Sequence, residues 1–282
     1  MENITRSVYG SNLQTALLLN LPVTIPANST LNEKLTIEAT SFITATDRPA
    51  MKYATIGNGG HRLVVGPNNI GVPEPIQHNP TDASLFNHLP FVLRAVSNDL
   101  VSNERAKYGL RRIETHDGTP YIAYYLKRLN YAGVTTKLDY KTVLEGQTTT
   151  TDFIPNNSNL FPQPPALSNT GINVTTGNYV AASASIPFNM SPSEVQELLN
   201  VANIIYGDDN YAIISEIALC SGVDKLITIN AGSGGAFNFN EVIATQIVSF
   251  ISSFFAMKFN NSGIDILLSV GATEPMFLLT PA

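Results

Sequence analysis

The sequence has almost no means of covalent reinforcement, because it contains a single cysteine, Cys220. A single cysteine excludes an intrachain disulfide and excludes zinc sites built from several cysteines. This usage fits a reducing compartment or an assembly that is made in a cytoplasm. With 282 residues, the chain is long enough to bury a sizeable core without such links.

Charged residues are also scarce, at 13% of the chain, which is about half of the usual share. Water-soluble monomers generally keep more charge than this on their surface. We therefore predict that part of the surface is covered by other subunits. The net charge of −6 predicts no specific binding to nucleic acid.

The few charges are unevenly distributed along the chain. Residues 91–141 contain nine Lys and Arg against five Asp and Glu, whereas residues 142–282 contain two against eleven. Opposite charges of this kind attract each other within one chain or between neighbouring subunits. Two solvated faces of one fold would give the same pattern, so the sequence leaves these arrangements open.

Long apolar runs are missing as well. The run at residues 16–21, ALLLNL, is too short to span a bilayer. It also lacks the basic start and the cleavage site of a signal peptide. The sequence predicts a buried strand or a short helix here, and no membrane span.

The clearest local pattern is in residues 111–129, RRIETHDGTPYIAYYLKRL. Two β-rich runs flank Asp117-Gly118, a dipeptide that readily supplies the positive φ angles of a tight hairpin turn. The returning arm carries large apolar side chains on both of its faces. We predict a β-hairpin that is buried on both sides and is central to the fold.

The whole pattern predicts an α+β, β-rich fold of antiparallel sheets, a sandwich or a barrel, with at least two helices. The first helix is predicted over residues 191–206, where Ser191, Pro192 and Glu194 form a capping box with proline at the first helical position. The second is predicted over residues 241–257, because this run is apolar nearly all round, which is typical of a buried helix.

Three parts of the chain are distinguished by composition. Residues 1–145 are predicted to be β-rich, with an N-terminal arm that either reaches a neighbour or packs on its own domain. Residues 146–190 are rich in Pro, Asn and Thr and are predicted to be a linker or a long loop. Residues 191–282 are predicted to be an α+β part, and all three together could form one composite domain.

Two short motifs resemble catalytic loops. Asp208 and Asp209 follow Tyr-Gly, as in the metal-binding turn of RNA polymerases, but no partner Asp accompanies them, which favours an ordinary turn. Ser233 lies in Gly-Ser-Gly-Gly, which favours a glycine hinge because the acidic residue of a protease nucleophile loop is absent. The histidines show no metal spacing, and His78 and His88 are predicted to be exposed. The sequence thus predicts no catalytic residues, no cofactor and no metal.

Two blocks of the chain resemble a segment found in virion structural proteins of tailed bacteriophages. The first comprises residues 89–94 (LPFVLR), 98–100 (NDL), 104–108 (ERAKY) and 121–129 (YIAYYLKRL), and the second comprises residues 215–224 (SEIALCSGVD). The resemblance implies a structural role in many copies, in the neck, tail or baseplate, inside a virion assembled in the host cytoplasm. It carries no catalytic residues.

We therefore predict a non-enzymatic particle subunit that binds copies of itself and other phage neck, tail or baseplate proteins. A capsid-associated protein, a receptor- or glycan-binding virion module, and a hydrolase that uses Ser233 or Asp208 and Asp209 are the alternatives. Aromatic and basic side chains together suit an interface, although core packing of the tyrosines is slightly favoured. The candidate interface residues are Tyr124, Tyr125, Lys127, Arg128, Arg111 and Arg112.

Overall fold

The computed structural model describes residues 3–23, 25, 30–38, 46–66, 69–230, 235–258, 260 and 262–279. The strands are β1 (Asn3–Arg6), β2 (Ala50–Gly57), β3 (His61–Val65), β4 (Gly71–Pro75), β5 (His88–Leu89), β6 (Val92–Ala95), β7 (Tyr108–His116), β8 (Thr119–Arg128), β9 (Lys137–Leu144), β10 (Gln147–Asp152), β11 (Leu167–Ser168), β12 (Gly171–Ile172), β13 (Val174–Met190), β14 (Ile213–Asn230), β15 (Ala236–Ala256) and β16 (Ile264–Phe277). The helices are α1 (Val8–Leu18), α2 (Thr30–Lys34), α3 (Ser102–Arg105), α4 (Asn157–Leu160) and α5 (Pro192–Tyr206). The α+β, β-rich class with antiparallel sheets is confirmed.

The chain forms two compact units, and each is made from two separate segments. Unit 1 contains Met1–Leu129 and Asn189–Ile264, and unit 2 contains Asn130–Phe188 and Asp265–Ala282. The range 146–190, expected as a linker or long loop, instead contains β10, α4 and β11 to β13. Its threonines and prolines gave a loop-like composition, but the threonines are β-branched residues that suit strands.

Unit 1 is built around one eight-stranded sheet, in the order β1-β15-β14-β2-β8-β6, with β5 also on β2 and β7 also on β8. The predicted hairpin is confirmed as β7 and β8, where Asp117 and Gly118 have φ angles of 49° and 77°. Tyr124 of β8 stands opposite Arg111 of β7 and opposite Val92 of β6. The hairpin strand β8 is therefore an interior strand, as its apolar faces predicted.

The predicted helix over residues 241–257 is wrong, because residues 241–256 lie in strand β15. Residues 242–247 are all buried, β14 pairs along the whole strand, and β1 pairs with residues 249–252. A strand that is buried on both faces is apolar throughout and cannot be told from a buried helix by periodicity. The β-branched and aromatic content of the run was the signal that favoured a strand.

The strands β14 and β15 form a long antiparallel ribbon. Their pairing begins at Ile213 opposite Ala256 and ends at Asn230 opposite Ala236, with several bulges between. A single strand, β14, thus spans all of Ile213–Asn230. The ribbon forms the largest part of the unit 1 sheet.

The predicted helix over residues 191–206 is confirmed as α5. The Ser191 hydroxyl accepts from the Glu194 amide, and the Glu194 carboxylate accepts from the Ser191 amide, which completes the capping box. Gly207 ends the helix in the left-handed conformation, with φ of 72°. The buried side of α5 consists of Glu194, Val195, Leu198, Val201 and Ala202.

The N-terminal region was predicted to be β-rich, but it begins with a short strand and two helices. After the short β1, the Ser7 hydroxyl caps α1 by accepting from the Gly10 amide. A side chain at Gly10 would lie 2.6 Å from the Val248 carbonyl oxygen, so this glycine lets α1 approach β15 closely. The run at residues 16–21 ends this helix, but its leucines are not buried as expected, since Leu18 is 82% exposed.

Unit 2 contains a four-stranded antiparallel sheet in the order β10-β9-β13-β16. A two-residue turn at Glu145 and Gly146, with φ angles of 50° and 79°, joins β9 to β10. Its buried apolar side chains are Ala181, Ile186, Phe188 and Leu268. Within the described residues, no helix in either unit has the length and apolar character needed to cross a membrane.

Candidate functional site

The two tyrosines proposed as interface residues are part of the interior of unit 1. Tyr124 is fully buried and Tyr125 is 5% exposed. The Tyr124 hydroxyl donates to Asp99 at 2.5 Å, and the Tyr125 hydroxyl donates to Glu114 at 2.6 Å. Burial, reinforced by these carboxylates, raises the pKa of both hydroxyls. The structure thus places the tyrosines in the core, the arrangement that competed with the interface interpretation.

The four basic residues proposed for the interface are all bound to carboxylates of unit 1. Arg111 pairs with Asp99, and the other three pair with acidic residues from the C-terminal half of the chain. Those three pairs are Arg112 with Glu241, Lys127 with Glu194, and Arg128 with Asp224. Arg94 and Glu197 form another such pair. The segregation of charge along the sequence therefore corresponds, in unit 1, to ion pairs within the chain.

The Lys127 and Glu194 pair links β8 to the start of α5. The Lys127 ammonium donates to Glu194 and to the Asn189 carbonyl, each at 2.5 Å. Burial lowers the pKa of Lys127, although Glu194 opposes this effect. Burial would raise the pKa of Glu194, but the Lys127 charge and the Ser191 amide together hold that pKa below its ordinary value. The pair fixes the helix on the sheet.

Asp224 is the centre of a second cluster on the same sheet. Its Oδ1 atom accepts from the Tyr53 hydroxyl at 2.5 Å and from Arg128 at 2.6 Å, and Lys52 lies 3.5 Å from Oδ2. Burial alone would raise the pKa of Asp224, but the hydrogen bonds from Tyr53 and Arg128 outweigh it and lower the pKa. Arg128 also donates to the Asn240 carbonyl. This cluster joins β2, β8, β14 and β15.

We expect Asp224→Asn to lower the free energy of unfolding by about 2 kcal/mol at neutral pH, because charge-assisted hydrogen bonds of this kind contribute about 1.5 to 3 kcal/mol. The folded-state pKa is depressed, so this stability is present above the unfolded pKa of about 3.9 and is lost as the pH falls through the lower folded pKa. Urea unfolding at pH 7 and in acid measures both effects. A difference from the native chain that stays constant into acid would contradict the prediction.

Glu216 and His78 form a fully buried pair in unit 1. The Glu216 carboxylate accepts from the amides of Gly59, Phe86 and Asn87 at 3.0 to 3.1 Å, and from the His78 Nε2 atom at 2.9 Å. Both side chains are fully buried. Glu216 therefore ties residues from three separate stretches of chain to β14.

The His78 ring is held on every side. Its Nδ1 atom lies 3.1 Å from Asp82, and its two faces stack on Phe86 and Phe250 with ring centroids 4.1 and 4.0 Å apart. Both ring nitrogens face carboxylates, the arrangement that a doubly protonated imidazole satisfies. The expectation that His78 is exposed is therefore wrong.

His88 is the second histidine near this pair. Its Nε2 atom accepts from the Leu85 amide at 3.2 Å, so the neutral ring carries its proton on Nδ1, which faces Thr55 at 3.4 Å. Burial, with smaller effects from Lys34 and His78, lowers the pKa of His88 to about 3. The expectation that His88 is exposed is also wrong, because its ring is enclosed by these groups.

The two motifs that resemble catalytic loops differ in what the structure describes. Asp208 accepts from the Asn210 amide and caps a short 3₁₀ helix at Asp209–Tyr211, and Asp209 pairs with Lys258 at 2.6 Å. Asp208 and Asp209 therefore form the ordinary turn that the sequence favoured over a metal-binding turn. Ser233 lies outside the described residues.

Cys220 is fully buried, and burial raises the pKa of its thiol. Among the described residues, no group of His, Cys, Asp and Glu is arranged to hold a metal ion.

A small cleft of about 100 Å³ opens beside α3 and β15. Arg105 and Arg128 line it, but their guanidinium groups already contact Asp99 and Asp224. Pockets for small molecules typically enclose about 300 to 1,000 Å³. The cleft therefore has neither the size nor the free charge of a typical ligand site.

Unit 2 presents a different surface. Its two segments contain only two Lys and five Asp or Glu. Leu144, Ile154, Leu167 and Leu267 each leave 70% or more of their surface exposed. All six residues of β10 are exposed, and β10 stands at the end of its sheet. Apolar exposure with little charge is typical of surfaces that bind other proteins.

One family model matches the chain over residues 1–282, the family of unknown function DUF7208. The chain belongs to this family. No curated protein and no solved structure matches it. Membership in DUF7208 names no activity.

The residues that sequence reasoning missed are Glu216 and the six residues of β10. Glu216 is the only charged residue in the run IISEIALC, and a carboxylate inside an apolar strand needs buried donors. That signal was present in the sequence, although its donors were not recognisable. The Gln-Thr-Thr-Thr-Thr-Asp sequence of β10 was assigned to a linker because its side chains are polar on both faces.

Proposed function

We propose that the chain is a non-enzymatic structural subunit of a tailed-phage particle, in the neck, tail or baseplate, within the virion. It works by binding copies of itself and other virion proteins. The observation that carries the proposal is the surface of unit 2, which combines exposed leucines, little charge and a sheet edge, β10, that no strand in the described part of the chain covers. The resemblance of residues 89–129 and 215–224 to virion structural proteins supports the same role.

The use of charge in unit 1 also supports this proposal. Its basic side chains at 94, 111, 112, 127 and 128 neutralise buried or half-buried carboxylates of the same chain. Ion pairs of this kind hold strands and helices in register. They leave apolar and uncharged polar groups for contacts with other subunits.

Fractionation of phage particles tests the proposal. We expect quantitative mass spectrometry to find the chain in purified tails or neck-containing particles, in several copies per particle. Recovery with tailless heads would favour the capsid-associated alternative. Recovery only in the unassembled protein pool, from particles that are otherwise complete, would overturn the proposal.

The enzymatic alternative has its own test. Asp208→Asn retains an oxygen that caps the 3₁₀ helix, and Ser233→Ala removes the only hydroxyl of the glycine-rich run. We expect phage that carry both substitutions to assemble and infect as the native phage do. A hydrolytic activity of the purified chain that either substitution abolishes would contradict a non-enzymatic role.

A further inference from the structure

The strand β10 has one free side. It pairs with β9 along its whole length and is the last strand of its sheet among the described residues. The two-residue turn makes Leu144 and Gln147 the closing hydrogen-bonded pair. Hydrogen-bonded and non-hydrogen-bonded positions then alternate, and the bond from the Phe153 amide to the Leu138 carbonyl at 2.8 Å fits that phase. The backbone groups of Thr148, Thr150 and Asp152 therefore point away from β9.

This edge carries few of the features that protect exposed strands from pairing, and its one charged residue is Asp152 at the end of the strand. Such features include proline, inward-pointing charge, lysine and bulges. The other edge strand of the sheet, β16, contains Pro275, whereas β10 contains no proline, no lysine and no register shift. Four consecutive threonines, which favour strands, occupy its middle. The edge is thus suited to receive another strand.

We propose that β10 of a second copy of this chain pairs with it, antiparallel, about a two-fold axis at Thr150. The inference rests on the proposed function and names the partner for one of its surfaces. In this register Thr150 faces Thr150, and Thr148 faces Asp152. The three residues whose backbone groups point away from β9 then stand opposite one another. Their N–H and C=O groups can form the hydrogen-bonded pairs of an antiparallel ladder on both strands.

The side chains of β10 select this arrangement over its alternatives. The antiparallel register places each Asp152 opposite a threonine, so no like charges face each other, and Thr149 faces Thr151 in a favourable threonine pair. A parallel, in-register pair would bring the two Asp152 carboxylates together. Shifting the axis to Thr149 would place Asp152 opposite Gly146 in the turn. The contact is isologous, so it closes as a dimer and joins two four-stranded sheets into one.

Cysteine cross-linking tests the register in the full chain. The native Cys220 is fully buried and provides no competing thiol. Under mild oxidation we expect Thr150→Cys to form a disulfide-linked dimer. Thr148→Cys is the matched control, because its two copies would stand about 13 Å apart, beyond the roughly 7 Å that a disulfide spans between Cα atoms. Equal cross-linking of the two variants, or none in either, would overturn the proposal.

A proline substitution tests the backbone pairing. The Thr150 amide faces away from β9, so Thr150→Pro removes the central bonds of the seam without removing a bond of the hairpin. Thr150→Val keeps this amide and the β-branched shape. By sedimentation we expect at least a ten-fold weaker dimer for the proline variant and a native dimer for the valine variant, with unchanged circular dichroism.

The outcomes separate this inference from the proposed function. A monomeric native chain, or a proline variant that dimerises as the native chain does, overturns the pairing of β10. The proposed function stands in either case if the chain is found in tails or necks. Absence of the chain from all particle fractions overturns the proposed function, whatever the purified protein does.

Discussion

Replacing Glu216 with alanine is expected to lower the free energy of unfolding by at least about 4 kcal/mol, the largest effect of any substitution considered. The change leaves the buried amides of Gly59, Phe86 and Asn87 without their acceptor, and each such loss costs about 1 to 3 kcal/mol. It also leaves His78 without its buried partner. Urea unfolding followed by fluorescence or circular dichroism measures the loss.

Two further variants make the Glu216 prediction specific. Glu216→Gln retains an oxygen for the Gly59 and Asn87 amides but turns an amide group toward the Phe86 N–H, so we expect an intermediate loss of about 2 kcal/mol. Glu74→Gln disrupts a solvent-exposed pair with Arg62 and is expected to cost less than about 1 kcal/mol. If Glu216→Ala were no more harmful than Glu74→Gln, the network would not have the structural role assigned to it.

Acidification is expected to destabilise the chain through His88. The folded-state pKa of about 3 lies below the unfolded value of about 6.5, so the folded form excludes a proton that the unfolded form binds. The stability is fully present above pH 6.5 and is lost as the pH falls toward 3. One proton gives a maximum slope of about 1.4 kcal/mol per pH unit, so the loss is roughly 3 to 4 kcal/mol by pH 3.5.

The non-titrating variant His88→Gln isolates this contribution from the carboxylates, which also titrate in acid. We expect the variant to be less stable than the native chain at pH 7, because the fit of the ring between Leu85 and Thr55 is lost. The difference between the two proteins should shrink as the pH falls from 6.5 to 3.5. A difference that is independent of pH would show that His88 is not held neutral by the fold.

Signals contained within a few residues predicted the local structure well. The Ser191 and Glu194 capping box marked the start of α5, and Asp117-Gly118 marked the turn between β7 and β8. In each case the hydrogen bonds or φ angles that specify the structure belong to the residues of the motif. Neighbouring elements were not needed to identify them.

The features that sequence reasoning missed depend on partners that are distant in the sequence. Residues 241–256 are part of a strand because β14 pairs along them and β1 pairs with residues 249–252. Residues 147–152 became a strand because a two-residue turn folds them back on β9. The buried state of His78 depends on Glu216, which is 138 residues away in the chain. No local pattern identifies these distant partners.

Composition also misled the prediction of the interface residues. Tyr124, Tyr125, Lys127 and Arg128 were selected because aromatic and basic side chains are common at interfaces. Those properties also suit a core strand whose tyrosine hydroxyls and cationic groups each bind a carboxylate of the same chain. Composition alone does not distinguish these two environments.

The β14–β15 ribbon has a mechanical consequence. With up to 21 residues per strand, it has a contour length of about 70 Å at roughly 3.3 Å per residue, with bulges along it. Tension applied in opposite directions along the two strands is shared by all the bonds of the ladder, which must rupture together in shear. Tension applied across one end peels the same bonds apart one by one at much lower force. The ribbon is thus strong in one direction of pull and weak in another.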